Sequence, residues 1–163
     1  MSHPVLEERP VAHGDAMNVI RQAVAEAPGP EAAAQRAVEE LHERFPHYDW
    51  VGIYWVDANG ANLVLGPWIG PEATEHTRIA IGTGICGAAA ATGQTQIVDD
   101  VSADPRYLAC FASTRSEIVV PILAEGQVVG EIDIDGSDLA AFDDTDRIFL
   151  EEIAALLAPL RPR

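Results

Sequence analysis

Apolar residues recur at every third or fourth position in three segments of the chain, a spacing that predicts amphipathic helices. The first segment runs from Gly14 to about Ala27 and is ended by the tripeptide PGP. The second begins near Pro30, which suits the first turn of a helix, and the third follows Asp143, a favourable N-cap. The apolar stripes are Met17, Ile20 and Val24, then Ala34, Val38, Leu41 and Phe45, and finally Phe149, Ile153, Leu156 and Leu160.

Between the second and third helices the chain becomes rich in β-branched and aromatic residues, as is typical of strands. The segment WVGIYWV, the turn DANG and the segment ANLVLG predict a hairpin. Further strands are predicted at residues 77–81, 95–98, 117–124 and 127–135. A helix of small residues, ending at Gly93, follows GTG. Residues 65–75 are predicted to be irregular and able to form a flexible flap, and residues 99–116 form a long loop.

This order of elements predicts an α+β domain, in which an antiparallel sheet is flanked by N-terminal and C-terminal helices. With 163 residues the chain is long enough for one domain with a substantial core. The N-terminal stretch, residues 1–13, is polar and contains two prolines, so we expect a flexible arm there. Residues 14–163 are expected to form the single domain.

The net charge of −16, from 26 acidic and 10 basic residues, narrows the range of partners. Such a surface repels phosphate backbones and anionic lipids, so we expect neither nucleic acid nor membrane partners. A cation or a ligand that carries an ammonium group would be attracted. No signal peptide and no stretch of about 20 apolar residues is present, which predicts a cytoplasmic protein.

The two cysteines, Cys86 and Cys110, are candidates for reactive thiols. The cytoplasm keeps thiols reduced, so a permanent disulfide is not expected. No metal site is predicted, because there is no CxxC motif and the histidines show no ligand spacing. Cys86 would lie in the first turn of the small-residue helix, where the helix dipole favours a thiolate. Cys110 lies in the long loop between Arg106 and Arg115, although a buried packing role is open for it.

Acidic residues alternate with apolar ones in the segment QVVGEIDID, residues 127–135. The alternation predicts one face with Val128, Gly130, Ile132 and Ile134 and another with Val129, Glu131, Asp133 and Asp135. A solvated outer face is one interpretation. Aspartate is a poor strand former, however, so a functional acidic row is the other. Trp50 and Tyr54 share one face of their strand, either as core aromatics or as a binding pair.

At these residues the sequence resembles GAF domains, and in particular the free methionine-(R)-sulfoxide reductase family. The motifs that carry the resemblance, in order, are WVGIYW, LVLGPW, TRIAIGTGICGAAAATGQTQIVDDV, LACFASTRSEIVVPI, GEIDID and FDDTDRIFLEEIA. The resemblance implies a GAF fold with about six antiparallel strands and a homodimer.

The resemblance also implies a role for each matching residue. Cys110 corresponds to the attacking cysteine, and Cys86 to a second family cysteine. The acids that line the methionine sulfoxide pocket correspond to Glu117, Asp133 and Asp135, and the aromatics that enclose the methyl-sulfoxide end to Trp50 and Tyr54. Two positions depart from the family pattern. His76 replaces a third cysteine that often serves as the resolving thiol, and Glu131 replaces an apolar residue.

The implied reaction is reduction of free L-methionine-(R)-sulfoxide through a sulfenic acid and a disulfide. Glu117 or Asp135 would protonate the sulfoxide oxygen. No cofactor is expected beyond an external thiol reductant such as thioredoxin or glutaredoxin. Two alternatives are a non-catalytic GAF module that senses a small ligand and a purely structural dimer. The latter would require the acidic row to be plain solvent surface.

Overall fold

A computed structural model describes residues 9–109 and 111–162 of the chain. In chain order the elements are α1 (Arg9–Glu26), α2 (Pro30–Arg44), β1 (Trp50–Val56), β2 (Asn62–Ile69), β3 (Arg78–Ala80), α3 (Gly84–Thr92), β4 (Gln96–Val98), β5 (Ser116–Ala124), β6 (Gln127–Gly136) and α4 (Asp144–Leu157). Short 3₁₀ turns cover Val101–Ala103 and Ala158–Leu160. None of the helices within these residues has the length and hydropathy needed to span a membrane.

The strands form one antiparallel six-stranded sheet in the order β3-β2-β1-β6-β5-β4. The longest strands, β5 and β6, therefore lie near the middle, and the three-residue strands β3 and β4 form the two edges. This arrangement confirms the predicted α+β class.

The sheet separates two hydrophobic clusters. Helices α1, α2 and α4 pack on one face against Val51, Ile53 and Trp55, whereas Trp50 and Tyr54 point to the opposite face, beneath α3. This division follows the alternation of side chains along β1 and confirms the prediction from WVGIYWV. The candidate functional residues of β1, β5 and β6 lie on the face beneath α3.

Helix α1 begins earlier than the pattern predicted, so residues 9–13 are helical and do not belong to a flexible arm. His13 is buried, its ring stacks on Phe149 with centroids 4.2 Å apart, and its Nε2 lies 3.7 Å from Asp146 Oδ1. These contacts with α4 anchor the first turns of α1. They are tertiary, which explains why the local polar sequence did not indicate them. Residues 1–8 lie outside the described part of the chain.

Strand β2 continues to Ile69, so the first half of the predicted flap is regular strand. Its register against β1 shifts between Gly52 and Tyr54, where a bulge accommodates Gly66 and Pro67. Proline cannot donate to a strand ladder and is tolerated at such bulges. The glycine and proline that suggested irregular structure therefore mark a bulge within β2.

A second bulge changes which face two valines occupy in β6. Ile122 pairs with Gly130 and Leu123 pairs with Val128, which leaves Val129 as the extra residue. As a result Val129 packs with Ile132 and Ile134 in the helix-side cluster, and Val128 packs on the opposite side. Strict alternation predicted the opposite face for each valine. That prediction is wrong because the bulge inserts one extra residue and so inverts the side-chain alternation.

Candidate functional site

Four carboxyl side chains lie on the face of β5 and β6 beneath α3. They are buried, with exposed fractions of 4% for Glu117, 0% for Glu131, 3% for Asp133 and 3% for Asp135. We call these residues the acidic row. The interpretation of this face as solvated surface is therefore wrong. The alternative of a purely structural dimer required these acids to lie on the solvent surface, and this requirement is not met.

Strand pairing fixes the position of each acid. Asp135 lies between Glu117 on β5 and Trp50 on β1. Asp133 lies opposite Gly52, and Glu131 lies opposite Tyr54. Since β6 is a central strand, covered by helices on one side and by α3 on the other, its acids cannot reach bulk water.

Helix α3 covers the acidic row and brings Cys86 to it. The chain enters the helix through two glycines with positive φ, Gly82 at 96° and Gly84 at 72°, a conformation that other residues rarely adopt. Gly87 packs so closely that an added Cβ would lie 2.7 Å from the carbonyl oxygen of Ala80. The ligating atoms of Cys86, Glu117 and Asp133 all lie within 4.8 Å of one another.

The environment of Cys86 favours the neutral thiol. Burial raises the pKa of Cys86 well above its ordinary value, and the negative charges of Asp133, Glu131 and Glu117 raise it further. The thiolate expected from the helix dipole is therefore not favoured here, because desolvation and three neighbouring acids oppose the dipole. Cys86 is a buried free thiol in the resting protein.

The acids themselves are held toward their protonated forms. Burial is the main cause that raises the pKa of Glu117, Glu131, Asp133 and Asp135, and repulsion from Asp133 adds to it for the other three. Within residues 9–109 and 111–162, no arginine or histidine forms an ion pair with any acid of the row. The pocket thus presents carboxyl groups without an ion-paired cation among the described residues.

Trp50 forms the aromatic wall of the site. Its indole stacks on Trp68, with centroids 6.0 Å apart and planes 12° apart, and lies 5.9 Å from the Phe111 ring. The Trp50 Nε1 atom is buried, and no hydrogen-bond partner for it exists among residues 9–109 and 111–162. Trp68 was not predicted as a site residue because its segment was assigned to the flap. Phe111 was not predicted either, since a loop position carries no periodic signal.

Tyr54 lies further along the same face, and its hydroxyl donates a 2.7 Å hydrogen bond to the carbonyl oxygen of His76. His76 Nε2 in turn lies 3.3 Å from the carbonyl oxygen of Ala109. The substituted family position, His76, is therefore next to the chain segment that leads into Cys110. Cys110 itself lies outside the described residues.

Arg106 was expected to favour a reactive Cys110, but its positive charge is paired with a neighbouring aspartate. Its guanidinium forms a 2.7 Å ion pair with Asp104 and a 3.2 Å hydrogen bond with Gln96. These contacts lie in an open depression of about 490 Å³, lined by residues 97–100 and 103–106, that contains none of the acidic row.

A smaller and more enclosed cavity of about 130 Å³ opens beside the acidic row. It is lined by Asp49, Trp50, Pro71, Phe111, Ser113, Thr114, Asp135, Gly136 and Ser137. An aromatic ring on one side and a carboxyl group on the other suit a small molecule with an apolar end and a cationic end. Drug-sized ligands generally require pockets of about 300 Å³ or more, so a cavity of about 130 Å³ suits a smaller molecule.

Comparisons with known proteins identify the family whose sequences and structures this chain resembles. The GAF domain family matches residues 29–159. A free methionine-R-sulfoxide reductase of Saccharomyces cerevisiae is 46% identical over 67% of this chain, and the alignment spans only 61% of that protein. A protein of the same name from Escherichia coli is 38% identical over 72% of this chain and 68% of its own length. The free methionine-R-sulfoxide reductase of Neisseria meningitidis, solved in complex with its substrate, superposes with a TM-score of 0.87 at 37% identity, covering 98% of this chain and 93% of that one.

Proposed function

Because this chain belongs to the free methionine-R-sulfoxide reductase family of GAF domain proteins, we propose that it reduces free L-methionine-(R)-sulfoxide to methionine. The observation that carries the proposal is the buried acidic row without ion-pair partners among the described residues. A free amino acid brings an ammonium group, which supplies the missing positive charge. A methionine sulfoxide within a polypeptide lacks that group at its amide nitrogen, so this pocket favours the free amino acid.

The two ends of the substrate would be held by different walls. Asp133 and Asp135 would bind the ammonium group, while Trp50 and Tyr54 would enclose the methyl-sulfoxide end. Glu117 pairs with Asp135 across the strands, and burial raises its pKa, so it can hold a proton at neutral pH. We propose Glu117 as the acid that protonates the sulfoxide oxygen, with Asp135 as the alternative donor.

Cys110 is our candidate for the attacking thiol. This assignment rests on its correspondence to the attacking cysteine of the family, and it is supported by the surroundings of Cys86. Cys86 is buried among three acids that raise its pKa, which disfavours it as a nucleophile. The chain on both sides of position 110 borders the site, through Ala109 beside His76 and Phe111 beside Trp50.

The proposed cycle conserves atoms and electrons. The Cys110 thiolate attacks the sulfoxide sulfur, and the protonated oxygen leaves that sulfur as water, so that the two sulfurs are joined. Water then attacks the Cys110 sulfur, the S–S bond breaks, methionine leaves with the electron pair of that bond, and the cysteine becomes a sulfenic acid. The Cys86 thiol then attacks the sulfenic sulfur, which forms a disulfide and releases water. An external dithiol, such as that of thioredoxin, or the thiols of a glutaredoxin system, would restore both cysteines and itself become oxidised.

Reductant-coupled turnover of free L-methionine-(R)-sulfoxide tests the proposal, with thioredoxin and separately with dithiothreitol. We expect Cys110→Ser to abolish both reactions. Cys86→Ser should abolish the thioredoxin reaction and leave the dithiothreitol reaction, because a small thiol can reduce the sulfenic acid directly. The (S)-sulfoxide and a peptide-bound sulfoxide serve as control substrates, and neither should be reduced appreciably.

One substitution bears on the alternative of a non-catalytic ligand-sensing module. His76 stands where the family carries a third cysteine. If neither reductant supports turnover while the sulfoxide raises the melting temperature, the enzyme is excluded and a binding module remains. The cytoplasmic location and the homodimer stay predictions, which fractionation and size-exclusion chromatography with light scattering can check.

A further inference from the structure

Three ligating side chains of two chemical types meet in the core of the site. Cys86 comes from α3, Glu117 from β5 and Asp133 from β6. Their sulfur and oxygen atoms lie within 4.8 Å of one another, and all three residues are buried. Ligand atoms in tetrahedral zinc sites lie about 2.0–2.3 Å from the ion, and hence about 3.5 Å from each other. The cluster therefore needs only a small contraction to surround one ion.

An independent observation indicates that one oxygen of this cluster lacks a partner, although the Asp133 side chain also hydrogen-bonds with Glu117 and Cys86. The Oδ1 atom of Asp133 is buried and has no hydrogen-bond donor within the described residues. The same holds for Oδ1 of Asp135 and for both carboxyl oxygens of Glu131, along the same row. Buried carboxyl oxygens without a hydrogen-bond donor are costly, and a cation that displaces the protons of these acids is one way to satisfy them.

The ligand types favour zinc over harder ions. Magnesium and calcium prefer shells made only of oxygen atoms. A cysteine sulfur beside two carboxylates suits zinc, which accepts sulfur and oxygen ligands in a tetrahedral shell. Three protein ligands would leave the fourth position for water. We propose that the reduced protein binds one Zn²⁺ through Cys86 Sγ and one carboxylate oxygen each of Glu117 and Asp133.

The ion and the substrate would exclude one another. Asp133 and Glu117 have roles in the proposed binding and protonation of methionine sulfoxide, and Cys86 has a role in the proposed resolution of the sulfenic acid. Zinc at this cluster would thus act as a reversible inhibitor that competes with the sulfoxide. This second half of the inference rests on the proposed function, whereas zinc binding itself does not.

Sequence spacing gave no sign of this site because its ligands come from three separate elements. The absence of a CxxC motif and of histidine spacing, which led to the prediction of no metal site, concerns ligands that are close in sequence. Here Cys86 and Asp133 are far apart in sequence and approach only because α3 packs on the sheet.

Direct titration of zinc on the resting protein is the test. The Cys110→Ser chain, stripped of metal with a chelator and kept reduced by a non-thiol reductant, is titrated with ZnCl₂ against a chromophoric zinc indicator. We expect one equivalent to bind and protons to be released as the thiol ionises. Cys86→Ser and Asp133→Asn should each weaken binding at least tenfold. Glu152→Gln is the control, since it removes an exposed acid of α4, on the opposite side of the sheet from the three-ligand cluster, and should change the Kd by less than threefold.

Cobalt provides a second readout that a loss of fold could not imitate. Co²⁺ bound to the Cys110→Ser chain should show a near-ultraviolet thiolate-to-cobalt charge-transfer band, and Cys86→Ser should remove that band. Circular dichroism of each metal-free variant establishes that it is folded. A featureless cobalt spectrum, less than one equivalent of zinc, or an unchanged Kd in both ligand variants would each overturn the site.

Competition is measured separately so that the two proposals can fail separately. Millimolar methionine sulfoxide should raise the apparent Kd for zinc, and an unchanged value would overturn the exclusion. Turnover without zinc binding would exclude the metal site and leave the reductase. Stoichiometric zinc binding without any turnover would establish the site and exclude the reductase.

Discussion

Gly52 lies directly beneath the indole ring of Trp50, so that a Cβ atom at position 52 would collide with Cη2 and Cζ3 of that ring. Gly70, directly after β2, supports the ring from the neighbouring chain segment, and a Cβ added there would collide with Cδ1. Gly52 also faces Asp133 across β1 and β6. The absence of a side chain at position 52 thus lets the indole lie flat against the sheet beside the acidic row.

Gly52→Ala should therefore displace Trp50 and weaken substrate binding. We expect the KM for methionine sulfoxide to rise about tenfold, with a loss of about 1–3 kcal/mol in the free energy of unfolding from overpacking. Steady-state kinetics and urea denaturation measure the two effects. Gly14→Ala is the control, because no atom lies within 4 Å of its added Cβ and alanine favours the helix. An unchanged KM in a folded Gly52→Ala variant would show that the position of Trp50 does not matter for binding.

A second prediction concerns the polar cluster on the helix side of the sheet. Asp146 accepts a 2.6 Å hydrogen bond from Tyr48 Oη, its Oδ1 lies 3.2 Å from His47 Nε2, and its other oxygen accepts from the Asp143 N–H at 3.1 Å. Asp146→Asn removes the negative charge that accepts these hydrogen bonds. It should lower the free energy of unfolding, measured by urea denaturation, by about 3 kcal/mol. Asp144→Asn, at an exposed acid of the same helix turn, should cost less than about 0.5 kcal/mol.

The contribution of Asp146 should also depend on pH in a defined direction. Burial alone would raise its pKa, but hydrogen bonds with His13, His47 and Tyr48 lower it well below the ordinary value. A carboxyl group with a lowered pKa stabilises the folded state above its unfolded pKa of about 3.9 and loses that effect as the pH falls. The difference between the native chain and Asp146→Asn should be full at pH 7 and shrink below pH 4. A difference that grows on acidification would contradict this assignment.

Glu131 should show the opposite pH dependence. Burial and the nearby Asp133 raise its pKa, so folding requires a proton uptake wherever the unfolded side chain is ionised. Below its unfolded pKa the Glu131 side chain is protonated in both states, so it costs no stability. The free energy of unfolding falls as the pH rises from the unfolded pKa through the folded pKa, because the unfolded side chain ionises first. Glu131→Gln should stabilise the protein at pH 8 but not at pH 4, with a slope of at most about 1.4 kcal/mol per pH unit between them.

Denaturant unfolding of both chains from pH 4 to pH 8 measures this difference. Glu152→Gln provides the control for removing an exposed glutamate, here on α4. A difference between Glu131→Gln and the native chain that does not change with pH would mean that Glu131 is not desolvated in the folded protein.

A fourth prediction concerns the reactivity of Cys86. Burial and three acids raise its pKa, so little thiolate forms at pH 8. In the Cys110→Ser chain, with a chelator present, iodoacetamide should alkylate Cys86 at least 100-fold more slowly than in the same chain unfolded in guanidinium. Glu131→Gln should increase the rate, because it removes one of the three acids. Equal rates in the folded and unfolded chains would show that Cys86 is exposed and ionised.

Local pattern was a reliable guide wherever one face of an element alone decides its structure. The stripes of α2 and α4 and the alternation of β1 all indicated which residues enter the core, because helices and strands repeat with fixed periods. The N-cap at Asp143 is confirmed too, since it accepts hydrogen bonds from the N–H groups of Thr145 and Asp146. Such signals depend on residues a few positions apart.

The pattern misled where long-range packing overrides the local period. His13 is helical and belongs to α1, where it contacts Phe149 and Asp146. Both of these residues lie more than 130 positions further along the chain. Bulges extended β2 through Pro67 and exchanged the faces of Val128 and Val129. Bulges depend on the partner strand, so the period of a single strand cannot reveal them.

For the site, the sequence by itself determined which groups are present and which share a face: a cysteine at a helix start, the alternating acids of β6, and the paired aromatics of β1. Only the tertiary structure decided their chemistry. Packing α3 over the central strands excludes water from four carboxyl groups and a thiol, and desolvation raises the pKa of each. Burial depends on what covers a residue from elsewhere in the chain, and for this reason the sequence alone could not decide whether these acids lie on the solvent surface or are buried.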